Sequence, residues 1–225
     1  MSTKRRALIL GSWSAIVVVV SMAGFMFALL LTFLPNLNAW NGIEAYANSF
    51  KPIHILGTII PSLILASAYI VFTVCIHYYA KNDKKIWSHL SIAFGLMYAV
   101  ISTANYFIQI ITVIPSIESK NLNGLDVFVT GNPNSIFYAL MASYFFMCVS
   151  TLFVGFVFDN KKGQREIKRL FIIAILVIPV CVLSMLSGLS VLMPIAGLVW
   201  FVCLIAGFIK TALHFRKLLK TDIDL

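Results

Sequence analysis

Polar side chains that could contact a ligand recur at helical spacing inside one of the most hydrophobic stretches of the chain. Asn105 and Gln109 are four residues apart, and Ser102 and Tyr98 extend the series in steps of three and four. Residues at this spacing share one face of an α-helix, which Tyr106 flanks. Amides both donate and accept hydrogen bonds, so they can orient a polar group. We call these five residues, Tyr98, Ser102, Asn105, Tyr106 and Gln109, the polar stripe.

The polar stripe must face away from lipid if its helix crosses a membrane. An amide in hydrocarbon leaves donors and acceptors unsatisfied, which is costly. In one interpretation the stripe bonds to neighbouring helices, with each bond contributing about 0.6 kcal/mol. In the other, it lines a pocket that opens to the outside and orients a ligand. The spacing is compatible with both interpretations.

The composition indicates that most of the chain lies in a membrane. Of the 225 residues, 60% are hydrophobic and only 11% are charged, whereas a soluble domain has about 25% charged residues. A membrane-spanning helix needs about 20 mostly apolar residues. Six segments meet this requirement, at residues 7–34, 52–79, 87–114, 135–158, 170–186 and 191–213. The sequence therefore predicts an all-α integral membrane bundle of six transmembrane helices, forming a single domain over residues 1–225.

The distribution of basic residues predicts the orientation. If six spans alternate, fifteen of the 17 Lys and Arg residues lie on one side, and only Lys51 and Lys120 lie on the other. The positive-inside rule then places both termini in the cytoplasm. Basic loops there would meet anionic lipid headgroups, so the net charge of +9 requires no nucleic acid. We expect a cell-membrane location with membrane lipids as partners, while a protein partner or a homo-oligomer is left open.

The chain carries few signatures of catalysis. Asp, Glu, Lys and Arg are missing from the middle of every predicted span, and the motifs HExxH, GxSxG and GxGxxG are missing throughout. The cysteines all fall in apolar runs without a CxxC pair, where Cys behaves as a small hydrophobe: Cys75, Cys148, Cys181 and Cys203. The histidines lie near predicted span ends: His54, His77, His89 and His214. We therefore expect no metal and no cofactor, and no catalytic residue can be named.

Two loops on the predicted external side have more substance than simple connections require. The first carries Trp40, Tyr46 and Phe50, which suit the headgroup region as an aromatic belt. The second, at residues 115–135, ends in Asn132-Pro133, a good boundary for the next helix. These loops either fold over the mouth of the bundle or merely connect helices.

Three segments in the middle third of the chain have a familiar order: "NYFIQIITVIPSI", then "NPNSIFYALMASYFFMCVSTLFVGFVF", then "REIKRLFII". In these segments the chain resembles a family of bacterial polytopic membrane proteins with no established activity. The resemblance implies a bundle of about six spans and a bacterial plasma membrane. It also implies that Asn105, Gln109, Asn132 and Pro133 belong to a shared pattern.

Three functional hypotheses follow from these patterns. The first is a non-enzymatic membrane protein that binds a small or lipid-like ligand, or a partner, between its helices. The second is a channel or transporter for a neutral solute, because a charge-free interior with hydrogen-bonding groups permits such passage. The third is a membrane-embedded enzyme, which needs two titratable groups within hydrogen-bond reach in one cavity.

Overall fold

In the part of the chain that the structure describes, the protein is a bundle of ten α-helices, which form six spans long and apolar enough to cross a membrane. The computed structural model describes residues 2–33, 40–189 and 191–221, and this part of the chain contains no β-strand. The predicted all-α fold with six spans is therefore confirmed. The helices are α1 (Thr3–Phe33), α2 (Ile43–Ser49), α3 (Pro52–Tyr79), α4 (Lys85–Ile108), α5 (Ile114–Glu118), α6 (Ile136–Met141), α7 (Ser143–Val157), α8 (Gln164–Ala174), α9 (Val177–Ser187) and α10 (Leu192–Thr221).

Three of the spans are not single regular α-helices. The third continues from α4 through a π-helical turn, Gln109–Val113, into α5, so Pro115 lies in the first turn of a helix and the span extends to Glu118, beyond its predicted end at residue 114. The fourth consists of α6 and α7, which meet at Ala142. The fifth consists of α8 and α9, which are separated by Ile175 and Leu176, and it begins at Gln164, six residues before the predicted start. It begins early because Ile167 is fully buried against the bundle, so the predicted polar connection already contains helix.

The bundle is built around α3, which packs along α1 and α4, while α10 packs against α1, α8 and α9. The rings of Phe72 on α3 and Phe208 on α10 meet edge to face at 4.9 Å between centroids. Phe171 of α8 contacts Phe208, and Tyr69 lies edge-on to Tyr98 of the polar stripe. These rings are fully buried. They fill the interior beside Tyr98, so no static open pore continues past the stripe within the described residues.

Glycines set how closely the helices approach. A β-carbon on Gly11 of α1 would lie 2.9 Å from Cys75 Cβ on α3 and 2.8 Å from the Phe215 ring on α10. Real β-carbon contacts are longer, so only glycine allows α1 to pack this tightly against both neighbours.

The two ends of the bundle differ in charge. One end, which we call the basic end, holds the start of α1, the end of α10 and the connections 80–84 and 158–163. There, Lys81 and Lys84 pair with Asp159 at 2.5 and 2.6 Å and link the two connections. These hydrogen-bonded ammonium groups lower the pKa of Asp159 to about 2. The opposite end, which we call the α2 end, holds α2, α5 and residues 119–135.

Candidate functional site

The polar stripe faces the interior of the bundle. Its five residues are each at most 2% exposed, and the nearby residues Ala104, Phe107 and Ile111 are exposed at the bundle surface. The spacing therefore produces one buried face and one lipid-facing face, because amides and hydroxyls are far more costly than apolar groups in hydrocarbon.

Three stripe residues bond to the fourth span. The hydroxyls of Ser102 and Ser143 are 2.7 Å apart, and those of Tyr106 and Tyr144 are 3.0 Å apart. Asn105 Nδ2 donates to the backbone carbonyl of Phe137 at 3.1 Å. This carbonyl lies in the first turn of the short helix α6. Asn105 therefore fixes the entry of the fourth span into the bundle.

Gln109 fastens the second loop to the bundle. It opens the π-helical turn, and its Nε2 donates to the carbonyl of Phe128 at 2.8 Å. Its Oε1 is buried and has no hydrogen-bond partner within the described residues. Beneath the loop, Val113, Leu125 and Val129 form a hydrophobic cluster against which Trp40 and Tyr46 pack. The two loops thus cover the α2 end of the bundle with a core of their own.

Tyr98 occupies the deepest position of the stripe. Its hydroxyl is buried beside Ser102 and Tyr144, but it makes no well-formed hydrogen bond in the part of the chain that the structure describes. One layer further, Tyr69 donates to Ser150 Oγ at 2.7 Å, and Ser150 donates to the carbonyl of Ser91 at 2.6 Å. Below Tyr106, the polar groups of α4 therefore meet neighbouring helices, not an open space.

A cavity of about 530 Å³ lies at the α2 end, between α1, α2, α3 and α6. This is within the range of about 300–1,000 Å³ that is usual for small-molecule sites. Of the polar stripe, only Tyr106 lines the cavity. Its floor is mostly apolar, formed by Phe25, Ile59 and Met141 together with the Tyr106 ring.

The mouth of the cavity is polar. Lys51 and His54, at the start of α3, line it together with Tyr46 and Thr130, whose hydroxyls are 2.9 Å apart. Burial raises the pKa of Tyr46 above its ordinary value. The hydrogen bond between Tyr46 and Thr130 ties α2 to the second loop across the mouth. Two of the elements that frame the cavity, α2 and the second loop, are therefore bonded to each other.

The sequence indicated only part of this cavity. Tyr106 belongs to the predicted polar stripe, whereas nothing in the sequence distinguishes Thr58 and Met141 from ordinary helix residues. Lys51 does stand out in the sequence, since it is one of only two basic residues on its side of the predicted topology. Its isolated positive charge predicts the orientation of the protein, and the same residue lines the cavity.

The remaining histidines lie away from this cavity, near the basic end. The rings of His77 and His89 are 4.5 Å apart, and His77 Nδ1 is 2.9 Å from Ser88 Oγ. His214 Nε2 is 3.0 Å from the Tyr79 hydroxyl. Within the described ranges, no group of three or more His, Cys, Asp or Glu residues is placed to hold a metal ion.

Comparison with known proteins adds no relative from which a function could be transferred. No known protein family, curated protein or solved structure matches the chain. What its own fold establishes is a multi-pass helical membrane protein with one buried polar stripe and a substantial cavity at the α2 end.

Proposed function

We propose that this membrane protein binds a small lipid-like molecule in the cavity at the α2 end. The observation that carries this proposal is the cavity itself. Its apolar floor and polar mouth are framed by α1, α3 and α6, by Tyr106 of α4, and by α2 and the second loop. A molecule with one apolar and one polar end would bury its apolar part and keep its polar part hydrated, which is the favourable arrangement for both.

The charge distribution supports an outward orientation of the cavity. The basic end carries fifteen of the 17 Lys and Arg residues, and such loops stay in the cytoplasm. In this orientation both termini are cytoplasmic, and the cavity opens at the outer surface. Its ligand would then come from the outer leaflet or from the medium. With the resemblance to bacterial polytopic proteins, we infer a location in the plasma membrane of a bacterium.

The polar stripe takes a supporting role in this proposal. Asn105 and Gln109 each donate to a backbone carbonyl and hold α6 and the second loop in place. These are the elements that frame the cavity. Tyr106 is the stripe residue that would contact the ligand, mainly through its ring, because its hydroxyl is engaged with Tyr144.

Conduction through a static pore is not proposed, because the packed rings of Tyr69, Phe72 and Phe208 fill the bundle below the stripe. A reaction is not proposed either, because none of the groups lining the cavity forms a pair of titratable side chains within hydrogen-bond reach in the described structure.

Photolabelling in phosphatidylcholine nanodiscs would test ligand binding. A hexadecyl chain carrying a diazirine would be incorporated, irradiated and mapped to peptides by mass spectrometry. We expect labelling at cavity residues such as Ile59 and Met141, in addition to general labelling of lipid-facing residues such as Ile111. Filling the cavity with Thr58→Trp should abolish the cavity labels and leave the lipid-facing labels unchanged.

Two further variants keep the result interpretable. Met141→Trp fills the same cavity from α6, so a folding defect specific to Thr58→Trp would not decide the outcome. Ala104→Trp adds the same side chain on the exposed face of α4 and should change nothing. The proposal is wrong if neither filling variant reduces labelling at Ile59 while both keep the thermal stability of the wild type. The hexadecyl chain of the probe would then not lie in the cavity.

A further inference from the structure

We infer that the molecule bound in this cavity is a single-chain amphiphile with an anionic head, which Lys51 and His54 hold at the mouth. The inference rests on the proposed function, and it adds the chemical class of the ligand. It is based on two observations: polar side chains without a hydrogen-bond partner lie at the mouth of the cavity, and the polar side chains near its floor are already hydrogen-bonded.

The mouth carries positive charge that no acidic residue neutralises. Lys51 is the residue that precedes α3, so it lies at the positive end of a 28-residue helix. Throughout the described chain, neither Lys51 nor His54 makes a side-chain hydrogen bond or an ion pair, and no carboxylate lines the cavity. An anion bound there would meet an ammonium and an imidazole, both of which can donate hydrogen bonds.

Three hydroxyl groups that line the mouth are already engaged. Tyr46 and Thr130 bond to each other, and Ser49 Oγ donates to the carbonyls of Ala45 and Tyr46. Asn41 and Tyr138 also line the cavity without a side-chain hydrogen bond in the described structure, but both are neutral groups. Lys51 therefore adds the charge that they lack. Its ammonium, with the imidazole of His54 as a second donor, suits a carboxylate or a phosphate better than a neutral hydroxyl.

Deeper in the cavity, no polar group is left for a second head. Ile59 lies eight residues beyond Lys51 on α3, which corresponds to a depth of about 12 Å. Thr58 lies at the same level, but its hydroxyl donates to the carbonyl of Ile55 at 2.8 Å. The Tyr106 hydroxyl is engaged with Tyr144. A polar group placed at the floor would lose its hydration without compensation, so the buried part of the ligand is hydrocarbon.

Size limits the ligand to a single chain. The cavity volume of about 530 Å³ suits one acyl chain with a compact head, and a two-chain phospholipid is too bulky for it. A free fatty acid and a single-chain phosphate lipid share the required chemistry. The two differ in the charge and bulk of the head, so an experiment can separate them.

The test compares matched hexadecyl diazirine probes with carboxylate, phosphate and hydroxyl heads in nanodiscs of neutral phosphatidylcholine. We expect the better of the two anionic probes to label Ile59 and Met141 with about tenfold higher apparent affinity than the hydroxyl probe, the size of one charge-assisted hydrogen bond. Lys51→Gln should remove most of this preference, and His54→Gln should reduce it. Lys120→Gln is the matched control, since Lys120 lies at the same end of the bundle but does not line the cavity.

Charge reversal provides the strongest test. Lys51→Glu should reverse the preference, so that a hexadecyl ammonium probe labels the cavity better than the carboxylate probe. If the hydroxyl probe labels the cavity as well as both anionic probes and Lys51→Gln changes nothing, the anionic head is excluded while ligand binding itself stands. If no probe gives a cavity label that Thr58→Trp and Met141→Trp remove, the proposed function fails, and this inference fails with it.

Discussion

Tyr69 on α3 donates a 2.7 Å hydrogen bond to Ser150 Oγ on α7, and it does so directly beside Gly95 of α4. A β-carbon on Gly95 would lie 3.3 Å from both the Tyr69 ring and Ser150 Oγ. The lack of a side chain at Gly95 thus allows two other helices to bond across α4. Three spans meet at this point, in the layer below the polar stripe.

Removing the Tyr69 hydroxyl should weaken the bundle modestly. Tyr69→Phe deletes the bond to Ser150, which keeps its bond to the Ser91 carbonyl, so we expect a loss of about 1 kcal/mol. The thermal midpoint of unfolding in dodecyl maltoside, monitored by size-exclusion chromatography of heated samples, measures this loss of stability. Tyr78→Phe is the control, because Tyr78 is 51% exposed. Equal midpoints for the two variants would contradict a stabilising role for this bond.

Replacing Gly11 by alanine should destabilise the packing of α1. The new β-carbon would overlap Cys75 Cβ and the Phe215 ring, and such overpacking costs about 1–3 kcal/mol. Better helix propensity recovers up to about 1 kcal/mol of this cost. Gly197→Ala on α10 meets no described atom within 4 Å, so its midpoint should equal or slightly exceed that of the wild type. A Gly11→Ala protein as stable as Gly197→Ala would show that α1 does not need the close approach.

The stripe amides should be needed for stability. Asn105→Leu and Gln109→Leu each leave a backbone carbonyl without its donor, so we expect each to cost about 1–3 kcal/mol, as for other buried polar groups that lose their partner. Ala104→Leu, on the exposed face of the same helix, should be neutral. The folded yield and the thermal midpoint of each variant in detergent measure this loss of stability. A fully stable double variant that has lost cavity labelling would instead show that the amides shape the cavity, through α6 and the second loop, without contributing to overall stability.

The ion pairs of Asp159 predict a pH-dependent stability difference. The folded pKa of about 2 lies below the usual Asp value of about 3.9, so the stabilisation is complete above about pH 4. It is then lost as the pH falls through about 2. Asp159→Asn should lower stability at pH 7 by about 1 kcal/mol at most, and the gap to the wild type should narrow at pH 3. Asp83→Asn, which removes a carboxylate that makes no ion pair within the described chain, should show a smaller effect. A gap that is constant from pH 7 to pH 3 would assign the effect to something other than the ion pairs.

The proposed orientation can be measured in intact cells. Asn121→Cys at the α2 end and Lys161→Cys at the basic end are both at exposed positions. A membrane-impermeant maleimide should label Asn121→Cys in whole cells, and Lys161→Cys only after permeabilisation. The wild type, with its four cysteines in helices, gives the background. Labelling of Lys161→Cys in whole cells would show that the topology is the opposite one and that the cavity lies on the cytoplasmic side.

The sequence alone determined the class of fold, because the physics of a span is local. About 20 apolar residues in a row, with charges between the runs, can satisfy their backbone only as helices in lipid. The same locality gave the polar stripe, since helical periodicity places Ser102, Asn105 and Gln109 on one face whatever packs against it. The breaks in the spans were harder to predict, because the π-helical turn at Gln109–Val113 and the turn at Ala142 depend on what the neighbouring loop and helices require.

Only the tertiary structure decided where the stripe ends and a cavity begins. Asn105 and Gln109 looked equivalent to Tyr106 in the sequence, yet the amides bond to backbone carbonyls of residues 137 and 128, while Tyr106 turns its ring to an open space. That difference depends on contacts between residues 19 to 38 positions apart. The same is true of Lys51. Its positive charge can be read from the sequence, but its position at the mouth of the cavity depends on how α2 and the second loop pack around it.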